Sequence, residues 1–574
     1  MNAVEVQGLS FAYKGSEREA ISGVDLAISP GEFVVLMGPS GAGKSTFCLT
    51  LNGLIPNFKK GKYSGEVRVF GVPTKKHKVS DLARDIVLVF QDFETQIFST
   101  NVELEVAFGP ENFGVDPDEI GRRIHATLKR VRLDGFEARQ PATLSGGQKQ
   151  RLAIASALSI QPRIICMDEP TTDLDPIGKF DVFQVADELS REKNMTMLIV
   201  EHETEEALKA DRIVLMRDGR IVAEGNARAI LASPALLEEC SVKPLEVAEF
   251  FASLGPGASL DGGELPLTVE EGLSAWERLG LAADRRRLDS LVSEKTRQQQ
   301  AGYGDPVIEV RNLVHRYENG LEALRGVDLT IRRGEFVAVL GQNGSGKTTL
   351  VKHFNGLLAP TGGEVVVNAR DTRATSMFEL SKTVGYVFQN PDHQIFAQTV
   401  FDEVAYGPRL FGVPEGEVKA RVVDALEAVG LTGSEEEDPF SLTKGQRQRV
   451  AVASVLAAKP EVIILDEPTT GLDYKEQESM MDLIKRLNEM GHTIIIVTHS
   501  MWVTAAYAHR AVVLKEGQVV MDGPVRDVFV REKELADVFL KPPQIVRFGA
   551  RLGLPVLTVD ELVACVGREE GARK

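Results

Sequence analysis

Two glycine-rich segments contain the residue types that bind phosphate. Residues 38–45 read Gly-Pro-Ser-Gly-Ala-Gly-Lys-Ser, and residues 341–348 read Gly-Gln-Asn-Gly-Ser-Gly-Lys-Thr. In such a segment the glycines let backbone N–H groups face the phosphates, the lysine reaches the terminal phosphates, and the last hydroxyl binds Mg²⁺. Each segment lies between a predicted strand and a predicted helix, whose N-terminus adds partial positive charge. We therefore predict two loops that each hold a polyphosphate with Mg²⁺.

Two acidic pairs could act on such a phosphate. Asp168-Glu169 and Asp466-Glu467 each follow an apolar run that predicts a buried strand. An aspartate at this position can hold Mg²⁺, and the glutamate beside it can orient or deprotonate an attacking water. On a surface loop an acidic pair is usually only solvated, but the end of a buried strand favours a chemical role.

The chain repeats itself. Asp-Glu-Pro-Thr-Thr begins at Asp168 and again at Asp466, 298 residues later. This interval is too long for a solenoid repeat and indicates a duplicated domain. We predict a first domain over residues 1–234, a linker with short helices over 235–305, a second domain over 306–531 and a C-terminal extension over 532–574. Two interpretations of the linker stay open: a plain connection, or a docking or dimerising segment.

Continuous apolar runs alternate with helical patterns in both copies. Ile164–Met167 and Met197–Val200 in the first copy match Val462–Leu465 and Ile494–Val497 in the second. Continuous hydrophobicity is typical of parallel strands that are covered on both faces. The predicted fold class is therefore α/β.

A further motif identifies a family that both copies resemble. Leu-Ser-Gly-Gly-Gln occupies residues 144–148, and its serine lies 24 residues before Glu169. It resembles the signature motif of ATP-binding-cassette (ABC) ATPases. The resemblance implies two tandem P-loop ABC-ATPase domains, each with a RecA-like α/β core and a helical subdomain. It also implies ATP and Mg²⁺ as cofactors and head-to-tail pairing of the two domains within one chain.

The motifs and this resemblance together assign the candidate site residues. Tyr13 and Tyr317 resemble the aromatics that stack on adenine. Gln91 and Gln389 resemble Q-loop residues, and His202 and His499 resemble switch residues. The predicted catalytic residues are Glu169, His202, Glu467 and His499. The predicted metal ligands are Ser45, Gln91, Asp168, Thr348, Gln389 and Asp466, and the predicted D-loop aspartates are Asp175 and Asp473. The predicted nucleotide-binding residues are Tyr13, Gly38, Pro39, Ser40, Gly41, Ala42, Gly43, Lys44, Ser45, Thr46, Gln91, Ser145, Gly146, Gly147 and Gln148 in the first copy, and Tyr317, Gly341, Gln342, Asn343, Gly344, Ser345, Gly346, Lys347, Thr348, Thr349, Gln389, Thr443, Lys444, Gly445 and Gln446 in the second.

The second copy departs from the signature motif. Residues 442–446 read Leu-Thr-Lys-Gly-Gln. In the arrangement that the resemblance implies, Lys44 faces this segment and Lys347 faces residues 145–148. Because glycine adopts backbone conformations that lysine resists, we expect altered loop geometry at Lys444. We hypothesise two unequal ATP sites, of which the Lys347/Glu467 site is the more dependable for hydrolysis. The alternative is that Lys444 is a tolerated variation.

The residues after each Q-loop glutamine resemble a narrower family. Residues 91–99 read Gln-Asp-Phe-Glu-Thr-Gln-Ile-Phe-Ser, and residues 389–397 read Gln-Asn-Pro-Asp-His-Gln-Ile-Phe-Ala. They are similar to ATPase components of energy-coupling factor transporters, which import vitamins and transition-metal ions. The resemblance implies an integral-membrane coupling subunit that docks here, a substrate-binding membrane subunit, and a location at the cytoplasmic face of the cell membrane. In the alternative, Ile97, Phe98, Ile395 and Phe396 belong only to the core.

Composition excludes several other classes of protein. The sum of 66 basic and 83 acidic residues gives a net charge of −17, which argues against a nucleic-acid partner. The four cysteines have no paired spacing, so we expect neither a disulfide framework nor a metal cluster. We also expect no secretory signal and no membrane span. A translation factor that acts on the ribosome and the ATPase of a sugar importer stay open as other functions.

Overall fold

The computed structural model describes residues 1–171, 174, 176–191, 195–255, 258 and 264–568. Contacts between Cα atoms divide the chain into two units. The first contains Met1–Ala252, Ser259–Leu267 and Asp473–Lys475, and the second contains Ser253–Ala258, Thr268–Leu472 and Glu476–Lys574. The predicted boundaries at residues 234, 305 and 531 stay predictions.

The first unit contains ten strands among its described residues. They are β1 Val4–Tyr13, β2 Ile21–Ile28, β3 Phe33–Met37, β4 Gly61–Val69, β5 Val72–Pro73, β6 Ile86–Val89, β7 Ile164–Asp168, β8 Thr196–Val200, β9 Arg212–Arg217 and β10 Arg220–Asn226. One sheet has the order β2-β1-β4-β5, and the other has the order β10-β9-β3-β8-β7-β6. In the six-stranded sheet β10 runs antiparallel to β9, and the other neighbouring strands run parallel.

The six-stranded sheet explains the continuous apolar runs. Along β3, Val34 packs with the four-stranded sheet and the helix after the glycine loop. Its neighbour Val35 packs with the helices on the opposite face. Because both faces are covered, every residue of β7 and β8 is buried, and the same holds for the matching strands of the second unit. The prediction of strands buried on both faces is therefore confirmed.

The helices of the first unit lie mainly between these strands. They are α1 Lys44–Leu51, α2 Leu54–Asn57, α3 Val79–Leu82, α4 Val102–Asn112, α5 Pro117–Arg130, α6 Gly146–Ser159, α7 Pro176–Arg191, α8 Thr204–Ala207, α9 Ala227–Leu231, α10 Pro234–Glu239 and α11 Glu246–Ser253. Helices α4, α5 and α6 pack against one another and form a helical subdomain. This subdomain contains the residues on both sides of the signature motif.

The second unit repeats this architecture. Its strands are β11 Leu281–Ala283, β12 Pro306–Arg316, β13 Glu322–Arg332, β14 Phe336–Gly341, β15 Gly362–Val367, β16 Arg370–Asp371, β17 Val384–Val387, β18 Val462–Asp466, β19 Thr493–Val497, β20 Arg510–Lys515, β21 Gln518–Pro524 and β22 Val566–Arg568. Its helices are α12 Val269–Arg278, α13 Arg285–Ala301, α14 Lys347–Lys352, α15 Met377–Ser381, α16 Val400–Leu410, α17 Glu415–Ala428, α18 Lys444–Leu456, α19 Tyr474–Glu489, α20 Met501–Tyr507, α21 Val525–Phe529, α22 Glu532–Ala536, α23 Gln544–Arg551 and α24 Val559–Cys565. The sheet orders are β13-β12-β15-β16 and β17-β18-β19-β14-β20-β21.

Part of the predicted linker packs against the predicted C-terminal extension within the second unit. Strand β11 pairs antiparallel with β22, α12 packs on α23, and α13 packs on α24. The rings of Trp276 and Phe548 meet edge to face with centroids 6.0 Å apart. The Arg526 guanidinium and the Glu561 carboxylate form a largely buried ion pair at 2.9 Å. The contacts of β11, α12 and α13 give the predicted linker a packing role that a plain connection does not have.

Candidate functional site

The first glycine-rich loop connects β3 to α1 and has a conformation that requires glycine. Gly38 has φ +142° and Gly43 has φ +98°. A Cβ atom on Gly38 would overlap the carbonyl oxygen of Met216, and one on Gly43 would overlap that of Ala20. Helix α1 begins at the next residue, so its first backbone N–H groups lack partners within the helix. Such a loop and helix start form a site for an anion.

The second glycine-rich loop has the same build between β14 and α14. Gly341 has φ +144° and Gly346 has φ +103°, close to the values in the first copy. A Cβ atom on Gly346 would overlap the carbonyl oxygen of Ala323. The duplicated sequence therefore gives a duplicated backbone geometry.

Each loop lysine points into its own loop. The Lys44 ammonium donates to the carbonyl oxygens of Gly38 and Pro39 at 2.7 and 2.9 Å. Lys347 donates to the carbonyls of Gly341 and Gln342, both at 2.8 Å. Burial lowers the pKa of Lys44, and the nearby Glu169 and Asp168 oppose this effect.

The loop hydroxyls lie against the strand-end aspartates. Ser45 Oγ donates to Asp168 Oδ1 at 3.1 Å, and Thr348 Oγ1 donates to Asp466 Oδ2 at 3.0 Å. Burial raises the pKa of Asp168 to about 6, although the Ser45 hydroxyl acts in the opposite direction. Burial also raises the pKa of Asp466. Each cluster offers a hydroxyl and a carboxylate oxygen, the hard donors that Mg²⁺ prefers, so the residues present fit this ion.

The second cluster contains a residue that the sequence analysis missed. Tyr386 on β17 donates its hydroxyl to Asp466 Oδ2 at 2.8 Å, in a buried position. Leu88 stands at the corresponding place in the first copy. The two candidate metal sites therefore differ in their hydrogen bonding. A comparison of the two copies position by position reveals this difference.

The strand-end glutamates contact the predicted switch histidines. In the first copy Glu169 Oε1 lies 3.0 Å from His202 Nε2, and Glu169 Oε2 accepts from Gln91 Nε2 at 2.7 Å. Glu169 has φ +46°, which is strained for a residue other than glycine. Such strain is common at functional sites, where the surrounding structure holds it in place.

In the second copy the histidine uses its other ring nitrogen. His499 Nδ1 lies 3.0 Å from both carboxylate oxygens of Glu467, and Glu467 has φ +50°. Burial acts to raise the pKa of Glu467, but His499 and Lys347 outweigh it and the pKa is lowered. Gln389, the counterpart of Gln91, is exposed beyond the end of β17.

The two predicted adenine-stacking tyrosines are hydrogen-bonded to the helices that follow the glycine-rich loops, α1 and α14. Tyr13 shares a hydrogen bond of 3.0 Å with Thr46 Oγ1, and Tyr317 shares one of 2.9 Å with Thr349 Oγ1. Both rings are partly exposed. An exposed ring face beside a phosphate loop is suited to stacking on a base.

The two signature segments begin their helices in the same way. Ser145 caps α6 in a capping box with Gln148, and Thr443 caps α18 in a capping box with Gln446. The cap residues have nearly identical φ and ψ. The expected change of loop geometry at Lys444 is therefore wrong, because this lysine occupies the first helical position, which does not need glycine.

Lys444 extends over a neighbouring loop of its own unit. Its side chain covers Gly471 so closely that a Cβ atom there would overlap the ammonium nitrogen. The first copy has Gly146 and Asp173 at these two positions. Asp173 and the predicted D-loop residue Asp175 lie outside the described residues. Asp473, the other predicted D-loop residue, is buried and groups with the first unit.

Comparison with known proteins identifies the family. The model of the ABC transporter family matches residues 21–172 and 324–470. An ABC transporter ATP-binding protein of Caldanaerobacter subterraneus subsp. tengcongensis is 55% identical over 564 residues, with 98% of each chain covered. The chain belongs to the ABC transporter family. This ABC protein is an ATPase that binds ATP with Mg²⁺.

Other relatives extend the comparison. An ABC transporter ATP-binding protein of Methanosarcina acetivorans is 39% identical over 571 residues, covering 97% of this chain and 93% of its own. Among solved structures, cbiO1 from Clostridium perfringens, described as part of the ABC transporter complex cbiONQ, is 36% identical. It covers 44% of this chain and 99% of its own, with a TM-score of 0.39. Within the described residues of this chain, no helix is long and apolar enough to cross a membrane.

Proposed function

We propose that this ABC ATPase is the motor subunit of a membrane importer for a vitamin or a transition-metal micronutrient, of the energy-coupling factor type. The observation that supports this is an exposed aromatic pair after the Q-loop of each copy. Phe98 and Phe108 meet edge to face at 4.6 Å, and Phe396 and Tyr406 do so at 4.9 Å. Phe98 and Phe396 are each 62% exposed. Exposed aromatic pairs suit a surface that another protein covers.

A buried glutamate holds each pair in place. Glu105 on α4 accepts from the backbone N–H groups of Phe98 and Ser99 at 3.1 and 2.8 Å. Glu403 on α16 accepts from those of Phe396 and Ala397, both at 3.0 Å. The alternative interpretation places Ile97, Phe98, Ile395 and Phe396 only in the core. It fits Ile395, which is buried, but it does not fit either phenylalanine. The matched glutamates support a function for the outward rings.

The proposed hydrolysis depends on residues already described. Lys44 and Lys347 turn from their own loop carbonyls to the phosphates, where their charge stabilises the transition state. Ser45 with Asp168, and Thr348 with Asp466, would hold Mg²⁺, which would neutralise further phosphate charge when bound. Glu169 and Glu467 orient the attacking water. The histidine contact of each glutamate supports this assignment.

We further propose that the two ATP sites are composite and unequal. In the family arrangement, the loop of each domain is completed by the signature segment of the other. Lys44 would then meet the segment that contains Lys444, whereas Lys347 would meet an unaltered signature. The side chain of Lys444 over Gly471 supports a difference between the sites. ATP would favour the closed state of the pair, and loss of the terminal phosphate would release it. An integral-membrane coupling subunit would pass this motion to a separate substrate-binding membrane subunit.

The test is purification in mild detergent from cells that express the chain, with mass spectrometry of the membrane partners. A variant with Phe98→Ser and Phe396→Ser should lose the partners and keep its basal ATP hydrolysis. Phe180→Ser is the matched control, because Phe180 is also 62% exposed but lies on α7. It should keep both properties.

The identity of the captured proteins decides between functions. An integral-membrane coupling subunit together with a small substrate-binding membrane protein supports the proposal. Ribosomal proteins would instead support a translation factor, and a sugar permease would support a sugar importer. Retention of the partners by the double aromatic variant would contradict the proposed docking surface.

A further inference from the structure

A buried carboxylate precedes the switch histidine of the first copy. Glu201 follows β8 directly and is 4% exposed. A buried carboxylate is costly unless hydrogen bonds satisfy its oxygens. Glu201 belongs neither to the candidate metal cluster nor to the phosphate loop, so its place in the interior needs another explanation.

Glu201 bridges the ends of two strands. Its Oε1 atom accepts from the backbone N–H groups of His202 at 2.8 Å and Glu203 at 3.2 Å. Its Oε2 atom accepts from Thr171 Oγ1 at 2.8 Å, in a buried hydrogen bond. Thr171 lies just beyond β7, the strand that ends beside Glu169. The Glu201 side chain therefore connects the segment that follows Glu169 to the segment that contains His202.

The second copy has a different residue here. Thr498 stands in place of Glu201, and its Oγ1 atom accepts from the backbone N–H of Ser500 at 3.0 Å. A threonine hydroxyl lies two bonds nearer the backbone than a glutamate carboxylate does. The histidine geometry differs as well, because His202 presents Nε2 to Glu169 whereas His499 presents Nδ1 to Glu467.

We propose that Glu201 is a positioning residue that holds His202 against Glu169 for ATP hydrolysis at the first glycine loop. Two of its hydrogen bonds end on the backbone at and beside the histidine, so they restrict the direction in which the ring leaves the chain. The third anchors this loop to the strand end that carries Glu169. The inference rests on the proposed catalytic role of the two glutamates.

The test uses chains in which Glu169 is the only strand-end glutamate that remains. In the Glu467→Gln background, Glu201→Thr should lower kcat about tenfold or more and leave the KM for Mg-ATP within about twofold. Single-turnover reactions with excess enzyme allow a slow site to be followed. Glu201→Gln should restore most of the rate, because the amide oxygen accepts from both backbone groups and the Thr171 hydroxyl can accept from the amide nitrogen.

The control is Thr498→Ser in the Glu169→Gln background, which keeps the hydroxyl and should leave kcat unchanged. If Glu201→Thr lowers the nucleotide affinity and the unfolding temperature together with kcat, its role is merely structural and the proposal is overturned. An unchanged kcat, or no turnover in the Glu467→Gln background, would also overturn it. Absence of Mg²⁺-dependent hydrolysis by the unmodified chain would instead contradict the proposed catalytic function itself.

Discussion

At the scale of single residues, the two candidate ATP sites differ in several contacts. Tyr386 donates to Asp466 where the first copy has Leu88, and Lys444 replaces a signature glycine. The loops, lysines and strand-end carboxylates could be predicted from sequence because their spacing is fixed by the chemistry of phosphate binding. The contacts of Tyr386 and Glu201 could not, since one buried side chain leaves no periodic pattern.

Replacement of each strand-end glutamate tests whether the two ATP sites hydrolyse ATP at unequal rates. Glu169→Gln and Glu467→Gln should each slow their own site about 100-fold or more, because a general base is lost. If the Glu467 site is the more dependable, Glu467→Gln should leave a residual turnover several-fold lower than Glu169→Gln does. Steady-state phosphate release by purified protein gives both rates. Equal residual rates would reject the inequality.

A buried histidine predicts how stability depends on pH. Burial lowers the pKa of His353 to about 4, below its ordinary value of 6.5, and its Nε2 atom lies 3.1 Å from His315 Nδ1. Between about pH 4 and pH 6.5, His353 is protonated in the unfolded chain and neutral in the folded protein. Stability is therefore lost as pH falls from about 6.5 to about 4, by at most about 3 kcal/mol.

Replacement of this histidine should flatten that dependence. His353→Thr introduces the residue type of Thr50, its counterpart in the first copy. Urea unfolding near pH 7 and near pH 5 should show a smaller loss for the variant than for the unmodified chain. His125→Thr, at an exposed position, should keep the original slope. Parallel losses in all three proteins would contradict the prediction.

At the scale of elements, the buried strands of the six-stranded sheets could be predicted, and the pairing of β11 with β22 could not. The continuous apolar runs of β7 and β18 indicate strands covered on both faces. Strand β11 has three residues, and its partner β22 lies more than 280 residues later, so no local pattern connects them. One signal was available: Leu-Thr-Val-Glu-Glu from Leu267 resembles Leu-Thr-Val-Asp-Glu from Leu557. Each threonine caps its helix, α12 or α24.

The packing of α23 on α12 predicts a large effect on stability. Phe548 is fully buried against Trp276, so Phe548→Ala should destabilise the second unit by about 3–5 kcal/mol. Phe539→Ala is the control, because Phe539 is 51% exposed and the change should cost about 0.5 kcal/mol or less. Urea unfolding followed by tryptophan fluorescence compares them. Equal midpoints would show that this packing contributes little.

At the scale of the whole molecule, one chain contains both proposed halves of the ATPase. A covalent connection makes their encounter intramolecular, so it does not depend on protein concentration. We expect the turnover per chain to stay constant over about a hundredfold dilution. Phosphate release at saturating Mg-ATP measures this. A fall in turnover on dilution would show that the active form requires two chains.

The pairing of β11 with β22 also has a consequence for synthesis. The ribosome completes the first strand more than 280 residues before the second. At about 5–20 residues per second, β11 waits roughly 15 to 60 s for its partner. During this interval the first ABC domain can fold, but β11 has an unpaired edge and Trp276 on α12 is uncovered. A nascent chain arrested within the second ABC domain is therefore the species most exposed to aggregation and to capture by chaperones.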